Sequence, residues 1–356
     1  MQLGLTGFFQ ALPFVCFGLL GGVLADNFNR KKLIMSTQLL NVFPGVALGI
    51  LTATGSIKVW HVNMLSLVTS SLQVLSGPAR QALVPSLVPS SHLMNAITLT
   101  TIMQQGTQLV APVLAGYLID YAGVKISYFV DASILLPALF SILVLRAPGQ
   151  PVGGRHAITV KSLLEGFEFI GREQIILALL VLDFFAVLVG YYRPILPIFA
   201  SEVFHVGAGG LGALYAAPAI GAILGSAIVL AVGNIQHKGR VAVLTTFSFA
   251  VSLGFLGLSR WFLLGIVAIV ALGLSDSISV AIRRTLVQLL APDSMRGRAA
   301  SMLTVFAQAT NALGAVIAGA GAAVLGASNA ALVGGVLCAA TIFGTCWAIP
   351  QLWRYK

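Results

Sequence analysis

The chain has 356 residues, of which 58% are hydrophobic and only 8% charged, with a net charge of +10 and a mean hydropathy of +0.98. A soluble domain carries roughly 25% charged residues because its surface faces water; here there is too little charge to coat a soluble particle, so lipid must solvate much of the chain. That excludes a soluble globular enzyme, and it turns the basic excess from a nucleic-acid signature into lysines and arginines kept in cytoplasmic loops.

A spanning helix needs about 20 mostly apolar residues. Eleven such runs follow in chain order, near 3–25, 33–54, 59–77, 96–119, 127–145, 174–198, 210–232, 241–259, 262–281, 299–325 and 329–349. Barrel strands would be about ten residues long with strict alternation, a pattern these runs lack. The intervening loops alternate in charge. Of the 20 lysines and arginines, 16 fall in one set, which includes Arg30, Lys31, Lys32, Arg80, Lys238, Arg240, Arg283, Arg284, Arg296 and Arg298. The opposite set holds only Lys58, Lys125 and Arg260, and Arg193 lies inside a run. This asymmetry places the first set and the C-terminus in the cytoplasm. The N-terminus then falls outside after an odd number of crossings, which points to a helix missing before Met1. No basic region or small-residue cleavage site precedes the first run, so a cleaved signal peptide is not expected. Cys16, Cys338 and Cys346 sit in apolar runs and read as packing thiols, with neither disulfides nor a metal site implied.

The first loop, within "GGVLADNFNRKKL" at 21–33, gathers an acid and three bases between two apolar runs. Further on the chain repeats itself. A shift of 203 residues aligns Arg80–Gly116 with Arg283–Gly319, and 13 of the 37 positions are identical. Parallel repeats of this kind are expected of two halves related by an axis along the membrane normal. The repeat carries a polar face: Thr101, Gln105 and Gln108 share one side of a helix, and Thr304, Gln308 and Asn311 occupy the matching positions. Such side chains either line a substrate path or hydrogen-bond neighbouring helices together. The stretch 146–173 opens with "RAPGQPVGGR" and continues as "KSLLEGFEFIGRE", a linker with an amphipathic helix lying on the membrane surface. The chain thus divides into an N-terminal bundle at 1–145, a linker at 146–173 and a C-terminal bundle at 174–356. Five runs precede the linker and six follow it.

Two acids lie deep in apolar runs, Asp183 and Asp276. A carboxylate at that depth faces a cavity or a partner. It either exchanges a proton, because desolvation favours its neutral form, or makes a structural hydrogen bond to Ser275, Ser277 or backbone. Arg193 precedes Pro194 and Pro197 in the outer half of the same run as Asp183, about 15 Å along it, too far to pair with that acid. It either attracts an anionic substrate or extends to the outer interface. Asp120 and Asp131 lie near outer helix ends, where solvation is expected. Gly18-x-x-x-Gly22, Gly221-x-x-x-Gly225 and Pro112-x-x-x-Gly116 mark close helix packing. No phosphate-loop motif occurs, so ATP is not expected to drive the chain, and His61, His92, His156, His205 and His237 form no metal set.

The loop at 21–33 resembles the signature between the second and third helices of the major facilitator superfamily, carried here by Gly22, Asp26, Arg30 and Lys31. Asn27 stands where that signature has a base and Asn29 where it has glycine, a mild change because asparagine tolerates the left-handed conformation. "GNIQHKGR" from Gly233 is a weaker second copy. "KSLLEGFEFI", "GALYAAPAIGAILG" and "RRTLVQLLAPDSMRGR" resemble the bacterial drug-efflux branch of the superfamily over almost the whole chain. The resemblance implies an all-α integral membrane fold of two helical bundles, with eleven of twelve helices seen. It implies a monomeric inner-membrane transporter that exports a small organic compound such as a drug or siderophore, driven by the proton gradient, without cofactor or nucleic acid. In that frame Asp183 and Asp276 are proton-coupling candidates. Asp26, with Gly22, Arg30, Lys31 and Arg298, forms a conformational latch, Asp26 meeting the start of the helix near Ala299 where the helix dipole and Arg298 favour an anion. Thr101, Gln105, Gln108, Arg193, Thr304, Gln308 and Asn311 line the substrate path. The competing reading is a truncated membrane protein that does not transport, a relic or a scaffold or sensor subunit.

Overall fold

In the computed structural model the described residues are 2–84, 87–89, 92–145, 174–233, 235–290 and 296–349, and among them there is no strand. The helices are α1 Gln2–Asn27, α2 Arg30–Ala53, α3 Val59–Leu83, α4 Leu93–Ala122, α5 Val124–Val144, α6 Gln174–Gly190, α7 Ala208–Val232, α8 Lys238–Leu258, α9 Phe262–Leu290, α10 Arg296–Leu325 and α11 Ala327–Ala348. Among the described residues eight helices are long and apolar enough to cross a membrane. The chain is a multi-pass membrane protein, and its surface agrees: Leu230, Val324 and Trp347 are more than four-fifths exposed. In water such residues would drive aggregation, whereas in lipid they are the solvated surface. The expected linker at 146–173, with its amphipathic helix, lies outside the described residues.

α1 packs on α3, α2 on α3 and α5, and α4 on α5; in the later part α7 packs on α9, α8 on α9 and α11, and α6 on α10 and α11. Two packings join these groups, α4 against α7 and α1 against α10. Close approach is made by small residues. A Cβ on Gly221 would collide with the Val270 carbonyl and one on Gly225 with Ser277, so the Gly221-x-x-x-Gly225 pair lets α7 lie directly on α9. Gly116 likewise abuts the Ala208 carbonyl, while Gly18 faces open space.

The repeat extends into the turns. Gly123 ends α4 and starts α5 at φ 82, and Gly326, 203 residues later, joins α10 to α11 at φ 78. A left-handed residue closes one helix and opens the next without a loop, and only glycine adopts it without steric cost.

Three expectations are corrected. The run at 174–198 is not one continuous helix: α6 stops at Gly190, Arg193–Ile195 form a tighter turn, and Phe199–Val203 a wider one. Pro194 and Pro197 remove two backbone donors from that stretch, and here the helix does not continue through them. Arg283 and Arg284 are not in a loop, because α9 continues to Leu290 and holds both within its length. A charge ends an apolar window but does not end a helix when the side chain finds a partner. Asn29 is not left-handed: at φ −61 and ψ 112 it is extended, and its side-chain oxygen accepts the Lys32 N–H at 3.1 Å as the N-cap of α2.

Candidate functional site

α6, α8 and α9 flank a small open cleft of about 20 Å³, lined by Asp183, Ala186, Val187, Thr245, Thr246, Phe249, Ser275, Asp276 and Ser279. The two intramembrane acids, 93 residues apart in sequence, thus share one cavity. Each acid is expected to face a cavity or a partner, and Asp183 has both. Its carboxylate pairs with the Arg283 guanidinium, and the two side chains are only 13% and 11% exposed. Burial of that order removes most of the water from both ions, so each is compensated chiefly by the other.

The hydroxyls around the cleft are anchored. Thr245 donates to the Val241 and Ala242 carbonyls and Thr246 to Ala242, at 2.8–3.0 Å. Ser275 donates to the Ser248 hydroxyl at 3.0 Å, linking α9 to α8. Donors committed to backbone leave hydroxyl lone pairs facing the cleft. Asp276 is the exposed member of the set and lines the cleft from within a spanning helix. Ser275 bonds Ser248 and Ser277 donates to the Leu274 carbonyl, so the neighbouring serines spend these hydrogen bonds elsewhere.

Arg193 stands at the break after α6. Its carbonyl accepts the Tyr215 hydroxyl at 3.4 Å. Of the polar face, Gln105, Gln308 and Asn311 are half-buried and Gln108 is exposed; the Asn311 amide donates to the Gln308 carbonyl oxygen at 3.5 Å. The side chains of Thr101 and Thr304 lie outside the described residues.

At the basic end, Arg30 donates to the Ala82 carbonyl at 3.2 Å and Lys31 to the carbonyls of Leu143 and Leu145 at 3.1 and 2.7 Å. The two bases thus clamp the C-terminal ends of α3 and α5, where helix dipoles favour cations. Their spacing alone marks orientation, and only the packing shows the clamp. Gly22, Asp26 and Arg298 have side-chain positions outside the described residues, although the helices that carry them, α1 and α10, pack together. Arg80, which the sequence treats only as a loop base, donates to the buried Gln38 amide oxygen at 2.8 Å.

The family described as transmembrane secretion effector, a branch of the major facilitators, matches residues 4–353. The enterobactin exporter EntS of Shigella boydii is 29% identical over 309 residues, covering 85% of this chain and 72% of the exporter; the same exporter of Escherichia coli gives the same identity and coverage. Among solved structures, the nucleoside transporter NupG superposes with a TM-score of 0.76 at 10% identity, over 97% of this chain and 90% of the other. A POT family transporter in complex with 5-aminolevulinic acid gives 0.76 at 13%, over 98% and 88%. A bacterial homolog of the lysosomal transporter Spinster, inward-facing and unoccupied, gives 0.71 at 14%, over 99% and 88%. At these identities the superpositions speak for the fold alone.

Proposed function

Because this chain belongs to the transmembrane secretion effector family of the major facilitator superfamily, and so is a transporter rather than an enzyme, we propose that it exports a small organic compound from the cell in exchange for protons. The carrying observation is the largely covered Asp183–Arg283 pair, whose acid lines a cleft that also holds Asp276. A proton arriving at Asp183 neutralises the carboxylate and dissolves the pair, leaving Arg283 free to contact an acceptor on a substrate. A substrate that takes up Arg283 in turn leaves Asp183 without its counter-charge, which favours protonation. Substrate and proton thus compete for one ion pair, the linkage an exchanger needs. Asp276, in the same cleft, is the second exchange candidate. Gln105, Gln108, Gln308 and Asn311, with Thr101 and Thr304, extend the polar path.

The machine that uses this pair is alternating access: bundles at 1–145 and 174–356 rock about the cleft, joined by the linker at 146–173. Asp26, with Gly22, Arg30, Lys31 and Arg298, is assigned as the latch on the basic end, which faces the cytoplasm of a bacterial inner-membrane protein. The names of the relatives, exporters of enterobactin, support a siderophore-like or drug-like cargo, and the protein acts as a monomer driven by the proton gradient.

The test is transport in proteoliposomes with an imposed pH gradient, using a panel of fluorescent drugs and a catecholate siderophore. The parent concentrates cargo against its gradient. Asp183→Asn loses gradient-driven accumulation at least about tenfold, while exchange of labelled for unlabelled cargo persists, because exchange does not require net proton movement. Uphill transport by Asp183→Asn at the parent rate overturns proton coupling at this residue. A parent that moves none of the panel favours the non-transporting reading.

A further inference from the structure

At the end of α4 the Asp120 carboxylate reaches across to the other group of helices. Oδ1 accepts the Ala208 N–H at 2.8 Å and Oδ2 the Gly209 N–H at 2.5 Å, so one carboxylate caps the first turn of α7 with both oxygens. Asp120 is exposed at a helix end, as expected, and each of its oxygens also accepts a backbone N–H. Gly207 and Gly209 make room for it, since a Cβ on either would stand 3.0–3.2 Å from its oxygens. Below the cap the two helices touch backbone to backbone. Gly116 meets the Ala208 carbonyl and Gly212 meets the Pro112 carbonyl, so the contact runs on for about one turn. The cap sits on the end opposite the basic loops, because α4 and α7 run from Leu93 to Ala122 and from Ala208 to Val232 in opposite senses there.

We infer that Asp120 is a gate latch: a carboxylate of the first bundle that holds the second bundle closed at the end away from the basic loops by occupying the N-terminus of α7. Three properties fit it for that task. The bonds are charge-assisted and lie at the positive end of a 25-residue helix. They join α4 and α7 by side chain to backbone, so separating the helices breaks both together. Once separated, both partners meet water, which re-solvates the carboxylate and the N–H groups. A contact made of exposed hydrogen bonds over a glycine-lined seam is therefore strong enough to bias a state and cheap enough to break in each cycle. The repeat makes the device one-sided: the position 203 residues after Asp120 is Ala323.

The inference rests on the alternating-access reading, and the experiment separates the two. Paired spin labels at Tyr121→Cys, on a 98% exposed site, and Glu202→Cys, in a background with the three native cysteines replaced, report the width of this end in lipid nanodiscs. The parent shows a short-distance population with a minor long one. Asp120→Ala raises the ratio of long to short about tenfold, the scale of one lost charged cap. Ala208→Pro removes one donor from the opposite side and raises the ratio less. Its backbone accepts proline, because Ala208 is the first residue of α7 and the preceding Gly207 is extended at ψ −168. Combined with Asp120→Ala it adds nothing further, since the donor acts only through the carboxylate. If Asp120→Ala fails to fold, Ala208→Pro alone decides. Two populations whose ratio ignores the variants, or effects of the two that add in full, overturn the latch and leave alternating access standing. A single population in the parent and in all variants overturns both.

Discussion

Arg80 and Arg283 occupy the same position of the repeat, yet they live differently. Arg80 is exposed at the end of α3 and donates to a neutral amide, Gln38 of α2. Arg283 is buried within α9 and faces a carboxylate, Asp183 of α6. The backbone frame around them is shared, down to the left-handed glycines at 123 and 326 that close the corresponding helix pairs. The difference lies in what each arginine is given. A neutral partner fixes geometry and nothing more, whereas an acid partner can be switched off by a proton. The repeat carries two matching arginines, and only one of them faces an acid that a proton can neutralise.

The comparison is broken most severely by removing Arg283. Arg283→Ala strands a buried carboxylate, so denaturation in detergent is expected to show a loss of about 3–5 kcal/mol. Asp183→Asn combined with it recovers much of that loss, because no uncompensated charge remains. A single Arg283→Ala variant as stable as the parent would mean that Asp183 is compensated elsewhere. Next in size, Gly123→Ala and Gly326→Ala each place a Cβ at positive φ and are expected to cost about 1–2 kcal/mol. The costs should be equal, because the repeat is symmetric in its backbone; a twofold disparity would argue against equivalent turns. Smallest is Gln38→Ala, which removes one hydrogen bond from an exposed arginine and should cost about 1 kcal/mol without altering gradient-driven transport. Were transport to fall as it does for Asp183→Asn, the contrast between the two arginines would collapse.

Some of this was open to reading from residues alone. The boundaries of α1, α2, α7, α8 and α11 fall within a few residues of the apolar runs, because lipid imposes the same demand on every crossing. The boundary of α9 was missed by nine residues, since Arg283 and Arg284 end an apolar window while the helix goes on to Leu290. The break after Gly190 had a signal in Pro194 and Pro197, but proline also occurs inside α2, α3 and α4 without stopping them. Nothing local distinguishes the two cases, because what decides is whether neighbouring helices re-satisfy the freed carbonyls. Asp183 and Asp276 were legible as costly and therefore purposeful. Arg283 was not, because an arginine after an apolar run looks the same whether it faces water or an acid 100 residues away.

By itself, then, the sequence determined solvent, helical class, the repeat and the residues too polar for their depth. Each of these is a property of single residues or of short periodic windows, and the bilayer reads them one segment at a time. The tertiary structure alone decided which polar groups meet: Asp183 with Arg283, Asp183 and Asp276 in one cleft, Arg30 and Lys31 with the ends of α3 and α5, and Asp120 with the start of α7. These pairings depend on which helices lie side by side and at what depth, and that is set by the packing of small residues between segments far apart in the chain.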